Sequence, residues 1–202
     1  MESQHYFSAQ PAGPDTRRPL SVVLGGARRD LVTSSGLFSP DGVDKGTAIL
    51  LDAVPEPQGR RMLDIGSGWG PIALTLALKA PDADVYAVDV NERCIALTAE
   101  NAARLGLGNV VACAPDAVDD ALTFDTIWSN PPIRIGKQEL HALLLRWLPR
   151  LAPGGRAWLV VQKNLGADSL QRWLAEELPE GFLVRRAETS KSFRILEVHR
   201  AD

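Results

Sequence analysis

From Arg60 onward, short apolar strands alternate with predicted helices, and this alternation constrains the fold more than any other feature of the sequence. The first strand, Met62–Ile65, runs through a glycine-rich turn into a helix predicted over residues 71–79. A helix between two strands carries the chain back to the end of the sheet where the first strand began, so the next strand runs parallel to the first. We therefore predict an α/β fold with helices on both faces of a mostly parallel sheet.

The later elements continue this alternation until the tail of the chain. Strands are predicted at 84–89, 110–113, 124–128 and 156–161, and helices at 92–105, 138–148 and 167–178. Asn101 and Arg104 are expected on the polar side of the helix 92–105. In the tail, the strands 182–187 and 193–199 are separated by only a short polar turn. A parallel pair needs a crossover of about a dozen residues, so these strands are predicted to run antiparallel, with one reversed strand near the sheet edge.

The chain before the first strand is predicted to form two segments. Residues 1–20 are polar and broken by prolines, which indicates a loosely held arm. Residues 21–57 are expected to form a β-hairpin around Gly25-Gly26 and a short helix over 47–53, both packing on the core. Residues 58–202 are expected to be the main domain, and a chain of 202 residues favours one domain overall.

Composition narrows the classes of function. The net charge is −3, so no global positive field attracts nucleic acid, although a local basic rim would be compatible with it. Two cysteines and three dispersed histidines provide neither a disulfide framework nor a zinc site, and we expect no metal. Without a membrane-spanning apolar run or a secretory signal, the chain is predicted to be cytoplasmic, with no membrane partner. The oligomeric state is left open.

The segment that follows the first strand is predicted to be a cofactor site, because ligands of open α/β sheets bind outside the carboxyl ends of the strands. Gly66 and Gly68 let the backbone approach a ligand, and Gly70 eases packing where the helix starts. The G-x-G-x-G spacing differs from the G-x-G-x-x-G of dinucleotide enzymes, which places a pyrophosphate on the helix N-terminus. It favours S-adenosylmethionine, which has no phosphate, with Asp64 and Ser67 as further contacts. The alternative is a turn that binds nothing.

Carboxylates after the next two strands are placed to bind the rest of a nucleoside. Asp89 can accept hydrogen bonds from both ribose hydroxyls, or alternatively it caps the helix that begins near Glu92. Asp116 and Ala117 are placed to meet the adenine edge, where a carboxylate accepts from the exocyclic amine and a backbone N–H meets a ring nitrogen. An ordinary loop aspartate is the competing interpretation of Asp116.

Asn130-Pro131-Pro132, just after the strand 124–128, is predicted to be the transfer site. The prolines stiffen the loop, and Pro131 disfavours the helical conformation for Asn130. The Asn130 side-chain oxygen and the Pro131 carbonyl could then hold a planar –NH₂ group and offset the positive charge it gains on attacking a sulfonium methyl. Since an amide is not a strong base, we expect in-line displacement, followed by proton loss, without a metal.

These motifs and the stretch Phe38–Thr47 together resemble the small-domain class I methyltransferases, most closely the ribosomal RNA small-subunit methyltransferase C family. The similarity covers nearly the whole chain. The resemblance implies a Rossmann-like seven-stranded sheet, S-adenosylmethionine as donor, and methylation of guanine N2 in small-subunit ribosomal RNA. Ribosomal RNA or the ribosomal subunit is then the expected partner. The resemblance also implies that Asp44, Gly46 and Thr47 close over the methionine end of the cofactor.

Two departures from the family pattern bear on the substrate. Larger members carry an additional N-terminal domain of similar fold, and we expect no such domain within these 202 residues. Many amino-methylating relatives place an aromatic residue after the two prolines, where it can stack on an extruded base. This chain has Ile133, which can pack on a base but has no aromatic face.

Several other residues are assigned by their position in the predicted fold. Loops at the cleft mouth contain four cations that could position phosphates or be ordinary solvated charges: Arg134, Lys137, Lys163 and Lys191. Four tryptophans in apolar runs are expected in the core: Trp128, Trp147, Trp158 and Trp173. Trp69 lies inside the glycine-rich turn, and the sequence is equally compatible with a position beside the cofactor and with a position away from it.

Other functions stay open. The same chemistry could act on DNA adenine N6 or on a protein glutamine amide, although glutamine-methylating relatives usually have tyrosine where this chain has Ile133. A nicotinamide-dependent oxidoreductase is disfavoured by the glycine spacing and by Asn130-Pro131-Pro132. A non-catalytic binding module is disfavoured because both motifs are intact.

Overall fold

The computed structural model describes residues 14–202, so most of the predicted arm lies outside the described residues. Strand β1 (Arg17–Leu24) pairs antiparallel with β2 (Ala27–Ser34), and Arg17 faces Ser34. The predicted end of the arm at residue 20 was therefore wrong, because strand pairing begins before the apolar run does. Pro19 is tolerated within β1 because a strand of a two-stranded sheet has a free edge.

Five α-helices and seven strands follow the hairpin in residues 35–202. The helices are α1 (Lys45–Ala53), α2 (Pro71–Lys79), α3 (Glu92–Arg104), α4 (Lys137–Trp147) and α5 (Ala167–Glu177). The strands are β3 (Arg61–Ile65), β4 (Asp84–Val88), β5 (Val110–Cys113), β6 (Phe124–Ser129), β7 (Leu151–Gln162), β8 (Phe182–Ser190) and β9 (Phe193–Arg200). Most ends agree closely with prediction, but β7 begins earlier and β8 ends later. None of these helices is long and apolar enough to cross a bilayer.

The seven strands form one sheet in the order β5-β4-β3-β6-β7-β9-β8. β3 pairs parallel with β4 on one side and β6 on the other, and the strand order reverses there. A crevice is expected beyond the carboxyl ends of strands at such a reversal. β9 runs antiparallel to both β7 and β8, which confirms the predicted reversed strand near the edge. The predicted Rossmann-like seven-stranded α/β fold is confirmed.

Apolar cores lie on both faces of the sheet. On one face, α4 and α5 pack through residues such as Leu144 and Leu174. On the other, α1 and α2 pack through residues such as Leu50 and Leu76. Three of the four tryptophans predicted in the core are buried: Trp128, Trp147 and Trp158. Trp173 is only half-buried, and it stacks on His141 with ring centroids 3.4 Å apart.

The hairpin packs on α2 and α3 beside the turn after β3. Gly25 and Gly26 form its turn, with φ of +57° and +79°, a conformation that glycine adopts without strain. Leu24 and Leu31 of the hairpin join a buried cluster that includes Trp69. The predicted hairpin is thereby confirmed, and it supports the wall of the turn.

Asn101 lies on the buried side of α3, so its predicted position on the polar side was wrong. Its side chain accepts a hydrogen bond from the Val32 N–H at 2.9 Å and donates to the carbonyls of Val32 and Trp69, each at 3.0 Å. A buried amide is stable where its polar atoms are paired in this way. Asn101 therefore ties the hairpin to the turn after β3. Arg104 is exposed as predicted and pairs with Glu100 at 3.0 Å.

Candidate active site

A solvent-open cleft lies at the carboxyl ends of β3 and β6, where the strand order reverses. Three segments distant in sequence line it: the loop before α1, the turn after β3, and the start of the loop after β6. The lining residues are Phe38, Ser39, Asp44, Thr47, Gly66, Ser67, Gly68, Trp69, Pro71, Ile72 and Asn130. The cleft thus brings the central residues of the predicted cofactor and transfer sites together, and their roles stay predictions.

The glycine loop, residues 66–70, requires glycine for its backbone conformation. Gly66, Gly68 and Gly70 have φ of +78°, +59° and +99°, a region that other residues rarely adopt. The N–H groups of Gly66 and Ser67 donate to the Val88 carbonyl at 2.8 and 3.1 Å, which fixes the loop against β4. A Cβ on Gly68 would meet no described atom within 4 Å, so that side of the loop is open to a ligand.

Asp64 is buried beneath the glycine loop. Its Oδ2 accepts from the Ala73 N–H at 3.0 Å and anchors the start of α2, whereas Oδ1 has no partner among the described residues. Burial raises the pKa of Asp64 to about 8; the Ala73 hydrogen bond opposes this shift, and the charge of Asp89 adds to it. At neutral pH the carboxyl is therefore mostly protonated and can itself donate a hydrogen bond.

Asp89 follows β4, and its carboxylate supports the glycine loop. Its Oδ2 and Oδ1 accept from the N–H groups of Gly68 and Asn91, both at 2.9 Å. Burial raises the pKa of Asp89, and these hydrogen bonds oppose the shift. The cap of α3 is Asn91, whose side chain accepts from the Arg93 N–H at 2.9 Å, so Asp89 is not the helix cap. Each Asp89 oxygen keeps acceptor capacity for a ligand hydroxyl.

Asp116 and Ala117 lie in a single 3₁₀ turn after β5. The Asp116 side chain is 89% exposed and pairs with Arg146 of α4 at 2.7 Å. The Ala117 N–H donates to the Ala114 carbonyl at 3.0 Å. Both groups that were predicted to meet an adenine edge are thus engaged within the protein. This geometry favours the competing interpretation of an ordinary loop aspartate.

Two residues at the start of α1 hold the Asn130 side chain in one orientation. Its Nδ2 donates to Asp44 Oδ2 at 2.9 Å and to Thr47 Oγ1 at 3.1 Å. A carboxylate only accepts, so the –NH₂ end of the amide must face Asp44 and Oδ1 must point elsewhere. No residue in 14–202 donates to Oδ1, and this oxygen is not among the buried polar atoms that lack a partner. It is therefore a solvent-accessible acceptor on a cleft-lining residue.

Asp44 also caps α1, because its Oδ2 accepts from the N–H groups of Gly46 and Thr47 at 2.7 and 3.3 Å. A Cβ on Gly46 would lie 3.0 Å from Asp44 Oδ2, 3.1 Å from the Phe193 ring and 3.4 Å from Asn130 Nδ2. Only glycine fits comfortably at that position. The three residues that the resemblance assigns to the methionine end of a cofactor thus also support Asn130, and the cofactor contact itself stays a prediction.

Pro131 and Pro132 turn the chain after β6. The Pro131 carbonyl accepts from the Ile133 N–H at 2.8 Å, and the Pro132 carbonyl accepts from the Ile135 N–H at 3.2 Å. Since a carbonyl has two lone pairs, Pro131 keeps one for a substrate. Ile133 is half-buried and packs against the core beneath α4 and α5. Its side chain therefore offers little surface to a base.

The four predicted rim cations lie at the cleft end of the sheet, Lys137 at the start of α4 and the others in the segments that join the strands and helices. The Lys163 N–H donates to the Ser192 carbonyl at 2.7 Å, so the loop after β7 contacts the β8–β9 turn that carries Lys191. All four side chains are exposed, and none forms an ion pair with an acid in the described part of the chain: Arg134, Lys137, Lys163 and Lys191. Their contact with RNA stays a prediction.

Two buried hydroxyl groups that position the site were missed from the sequence. Ser129 Oγ donates to the last carbonyl of β3 at 2.7 Å and joins the ends of β6 and β3. Thr98 Oγ1 donates to a glycine-loop carbonyl at 3.1 Å. A signal existed for Thr98, because it shares its helical spacing with Leu97 and Asn101 on the buried side of α3. No local pattern marks Ser129.

A mostly parallel seven-stranded sheet with one reversed strand, a glycine loop after its central strand and an Asn-Pro-Pro turn after the neighbouring strand define a class I methyltransferase fold. The profile of the methyltransferase small domain family matches residues 28–197. The chain belongs to this family. The prediction of a methyltransferase and the prediction that S-adenosylmethionine is its cofactor are both confirmed at the level of the family.

Similar proteins include one of nearly equal length and several longer ribosomal RNA enzymes. The chain is 37% identical to the "uncharacterized protein YbxB" of Bacillus subtilis (strain 168), covering 91% of this chain and 94% of that protein. It is 36% identical to a ribosomal RNA small subunit methyltransferase C of Hahella chejuensis, covering 67% of this chain and 41% of that protein. Among solved structures, it is similar to the T. thermophilus 16S rRNA N2 G1207 methyltransferase (RsmC) in complex with AdoMet and guanosine. The TM-score is 0.78 and the identity 25%, and the match covers 94% of this chain and 52% of that one.

The chain therefore spans about half the length, or less, of the two ribosomal RNA methyltransferases, 41% of one and 52% of the other. Its likeness to a family named for ribosomal RNA small subunit methyltransferase C, predicted from the motifs, is confirmed.

The cleft residues fit the family's cofactor. Ser67 lines the cleft, and its buried Oγ has no partner among the described residues; the same is true of Oδ1 of Asp64, which is buried and does not itself line the cleft. Unpaired buried polar atoms are costly, and a bound polar ligand would satisfy them. Gly68, which also lines the cleft, leaves open space where a Cβ would lie. Residues 14–202 contain no cluster of three or more histidine, cysteine, aspartate or glutamate side chains that could bind a metal.

Proposed function

We propose that the protein transfers the methyl group of S-adenosylmethionine to an exocyclic amino group of an RNA base. Guanine N2 of small-subunit ribosomal RNA is the first candidate. The observation that carries the proposal is the orientation of Asn130. Its Nδ2 is held by Asp44 and Thr47, so that its free Oδ1 can accept from an –NH₂ group at the end of β6.

The donor would bind along the glycine loop. Asp89 would accept from the ribose hydroxyls through its remaining lone pairs, and Ser67 and Asp64 would pair with polar groups of the amino acid end. Thr47, in the first turn of α1, lines the cleft, and its hydroxyl can donate to the carboxylate of that end while it accepts from Asn130. The cofactor supplies a methyl group that is electrophilic because it is bonded to a positively charged sulfur.

The acceptor would be held by Asn130 Oδ1 and by the free lone pair of the Pro131 carbonyl. Two acceptors on one –NH₂ group orient the nitrogen lone pair and stabilise the positive charge that develops on the nitrogen as the new bond forms. Neither group is a strong base, so the proton would leave to solvent after transfer. The rigid Pro131-Pro132 turn limits the motion of both acceptors.

Two observations support RNA as the acceptor. The Hahella chejuensis relative and the solved T. thermophilus neighbour are both named as ribosomal RNA methyltransferases. The cleft end of the sheet also carries four exposed cations without ion pairs in the described chain, although the protein as a whole has a net charge of −3. Cations of this kind contact phosphates and place a nucleic acid in register without reading its sequence.

A first experiment tests the donor. Calorimetry should detect S-adenosylmethionine binding that NAD does not compete with, and Asp89→Ala should weaken it by about tenfold or more, because a bidentate hydrogen bond to a charged group contributes about 1.5–3 kcal/mol. Asp116→Ala is the matched control, since that carboxylate is exposed and paired with Arg146. Binding of NAD in place of S-adenosylmethionine would refute the proposal.

A second experiment tests the acceptor. The protein and methyl-labelled donor are incubated with unmethylated ribosomal subunits, protein-free ribosomal RNA, DNA and total cell protein. We expect label in ribosomal RNA or subunits. The logarithm of the RNA-binding constant falls linearly with the logarithm of the salt concentration, and Lys163→Gln should make this slope shallower by about one, as expected for the loss of one phosphate contact. Lys79→Gln is the control, because Lys79 pairs with Glu56, and it should leave the slope unchanged. Label in DNA or in protein alone would contradict the RNA assignment.

A further inference from the structure

The proposed transfer site lacks an obvious aromatic face for the base. A base that leaves its stack is normally held by hydrogen bonds on its edge and by an aromatic or apolar side chain on its face. The Asn130 and Pro131 oxygens supply only the edge contacts. Ile133, where many relatives have an aromatic residue, packs against the core and is half-buried.

Phe38 is the exposed aromatic residue that lines this cleft. Its side chain is 59% exposed, and it is the only large aromatic in residues 14–202 that counts as exposed. Trp69, which also lines the cleft, is 2% exposed, and its Nε1 donates to the Ser39 carbonyl at 3.3 Å. Trp69 is therefore a buried wall of the cleft, whereas Phe38 is mostly exposed to solvent there.

The backbone on both sides of Phe38 is anchored, so its exposure does not come from a loose loop. Leu37 is buried among the residues that pack the hairpin onto α2 and α3. On the other side, the Ser39 carbonyl accepts from Trp69, and Ser39 Oγ donates to the Gly42 carbonyl at 2.9 Å. Holding a solvent-exposed phenyl ring between two fixed neighbours presents an apolar surface at a defined position.

Ser39 itself is strained. Its φ is +47°, and among the described residues only Ser39 and Lys191 adopt positive φ without being glycine. Such a conformation costs on the order of 1–3 kcal/mol and is found preferentially at ligand sites. Ser39 lines the cleft, and Lys191 lies in the rim turn that contacts Lys163. Both strained residues therefore lie at the cleft end of the molecule.

We propose that Phe38 is the stacking face for the acceptor base, opposite the edge contacts of Asn130. This inference rests on the proposed function and deepens it, because a stacking face fits a planar nucleobase better than a protein amide. Phe38 would thus replace the aromatic residue that Ile133 does not provide. It would act on acceptor affinity and orientation without taking part in donor binding.

The test compares Phe38→Ala, Phe38→Leu and Phe38→Trp. For each variant, donor affinity is measured by calorimetry, and guanosine binding by titration of the protein saturated with S-adenosylhomocysteine. Loss of one base–aromatic stack costs about 1–3 kcal/mol, so Phe38→Ala should weaken guanosine binding and raise the KM for RNA about 5- to 150-fold. Donor affinity should stay within about twofold of the wild type, and Phe38→Trp should retain acceptor affinity.

Phe38→Leu separates stacking from simple apolar contact. It keeps most of the apolar volume but removes the aromatic face, so it should resemble Phe38→Ala. Leu183→Ala is the matched control, because Leu183 is 64% exposed at the opposite end of the sheet, and it should change neither affinity.

Four results would overturn the proposal. If Phe38→Ala methylates RNA with unchanged KM, or if Phe38→Leu retains full acceptor affinity, Phe38 is not a stacking face. If donor affinity falls as much as acceptor affinity, Phe38 borders the cofactor instead. If the wild-type protein labels no nucleic acid, the proposed function fails together with this inference, whereas the other three results leave that function intact.

Discussion

Replacing Asp44 tests how the Asn130 acceptor is oriented. One oxygen of Asp44 accepts from the N–H groups of Gly46 and Thr47 and from Asn130 Nδ2, at 2.7, 3.3 and 2.9 Å. Asp44→Ala removes the helix cap, which contributes about 1 kcal/mol, and a charged hydrogen bond of about 1.5 kcal/mol at this half-buried position. The variant should lose about 2.5 kcal/mol of stability, or about 5–10 °C in Tm for a domain of this size.

Asp44→Ser separates the cap from the orientation of Asn130. Serine is as good a helix cap as aspartate, so the Tm should stay close to that of the wild type. The shorter hydroxyl cannot reach Asn130, which then keeps only its contact with Thr47 Oγ1. Because a hydroxyl can donate as well as accept, this contact no longer fixes which end of the amide faces it, and –NH₂ can lie where Oδ1 is needed. Loss of one positioned charge-stabilising contact should lower kcat for RNA about 10- to 100-fold. S-adenosylmethionine affinity should stay within about threefold.

The assay is single-turnover methyl transfer to RNA at saturating donor, with calorimetry for donor affinity and a thermal melt for stability. Asp44→Asn is the matched control, because its amide oxygen can replace Oδ2 toward all three donors, and it should retain most of the turnover. Full turnover of Asp44→Ser would refute the orientation argument. Donor affinity and turnover that fall together would instead assign Asp44 to cofactor binding.

Three further predictions concern the framework of the site. Asn101→Leu leaves buried polar groups of the hairpin and of the glycine loop unpaired, so the free energy of unfolding in urea should fall by about 3 kcal/mol. A fall of less than about 1 kcal/mol would contradict the role of Asn101 in tying these two segments together. Asp64 has a folded pKa of about 8 against 3.8 for the free group, so its contribution to stability is fully present below about pH 4 and is lost as pH rises through 8. The stability of Asp64→Asn relative to wild type should therefore rise between pH 5 and 8, and parallel pH curves would contradict the raised pKa. Gly59→Ala should destabilise more than Gly26→Ala in the same assay, because both have positive φ but only at Gly59 would a Cβ lie 2.1 Å from Asp125; equal losses would contradict the clash.

The order of the elements could be predicted because each signal is local. An apolar strand, glycines and a helix follow one another between residues 61 and 79, and each boundary has its own residue type. The start of β1 was missed because its pairing to β2 extends beyond the apolar run into Arg17 and Pro19. The burial of Asn101 was missed because residue polarity was given more weight than its helical spacing.

The candidate site was predictable in its parts but not in its internal contacts. The glycine loop and Asn130 were identified from sequence because each carries an unusual backbone requirement. Asp44 and Asn130 are 86 residues apart, and nothing local indicates that one orients the other. The pairing of Asp116 with Arg146, 30 residues away, was equally hidden. Contacts of this kind depend on which strands become neighbours, and short motifs do not encode that.

The central claim is that Asn130 directs methyl transfer to an exocyclic amino group of an RNA base. Its most direct test is mass spectrometry of nucleosides from RNA that the wild-type protein and Asn130→Ala have treated with labelled donor. We predict N2-methylguanosine with the wild type, and its loss in the variant at nearly unchanged donor affinity. Label on a ring carbon or a ribose hydroxyl, or equal product from the variant, would contradict the claim.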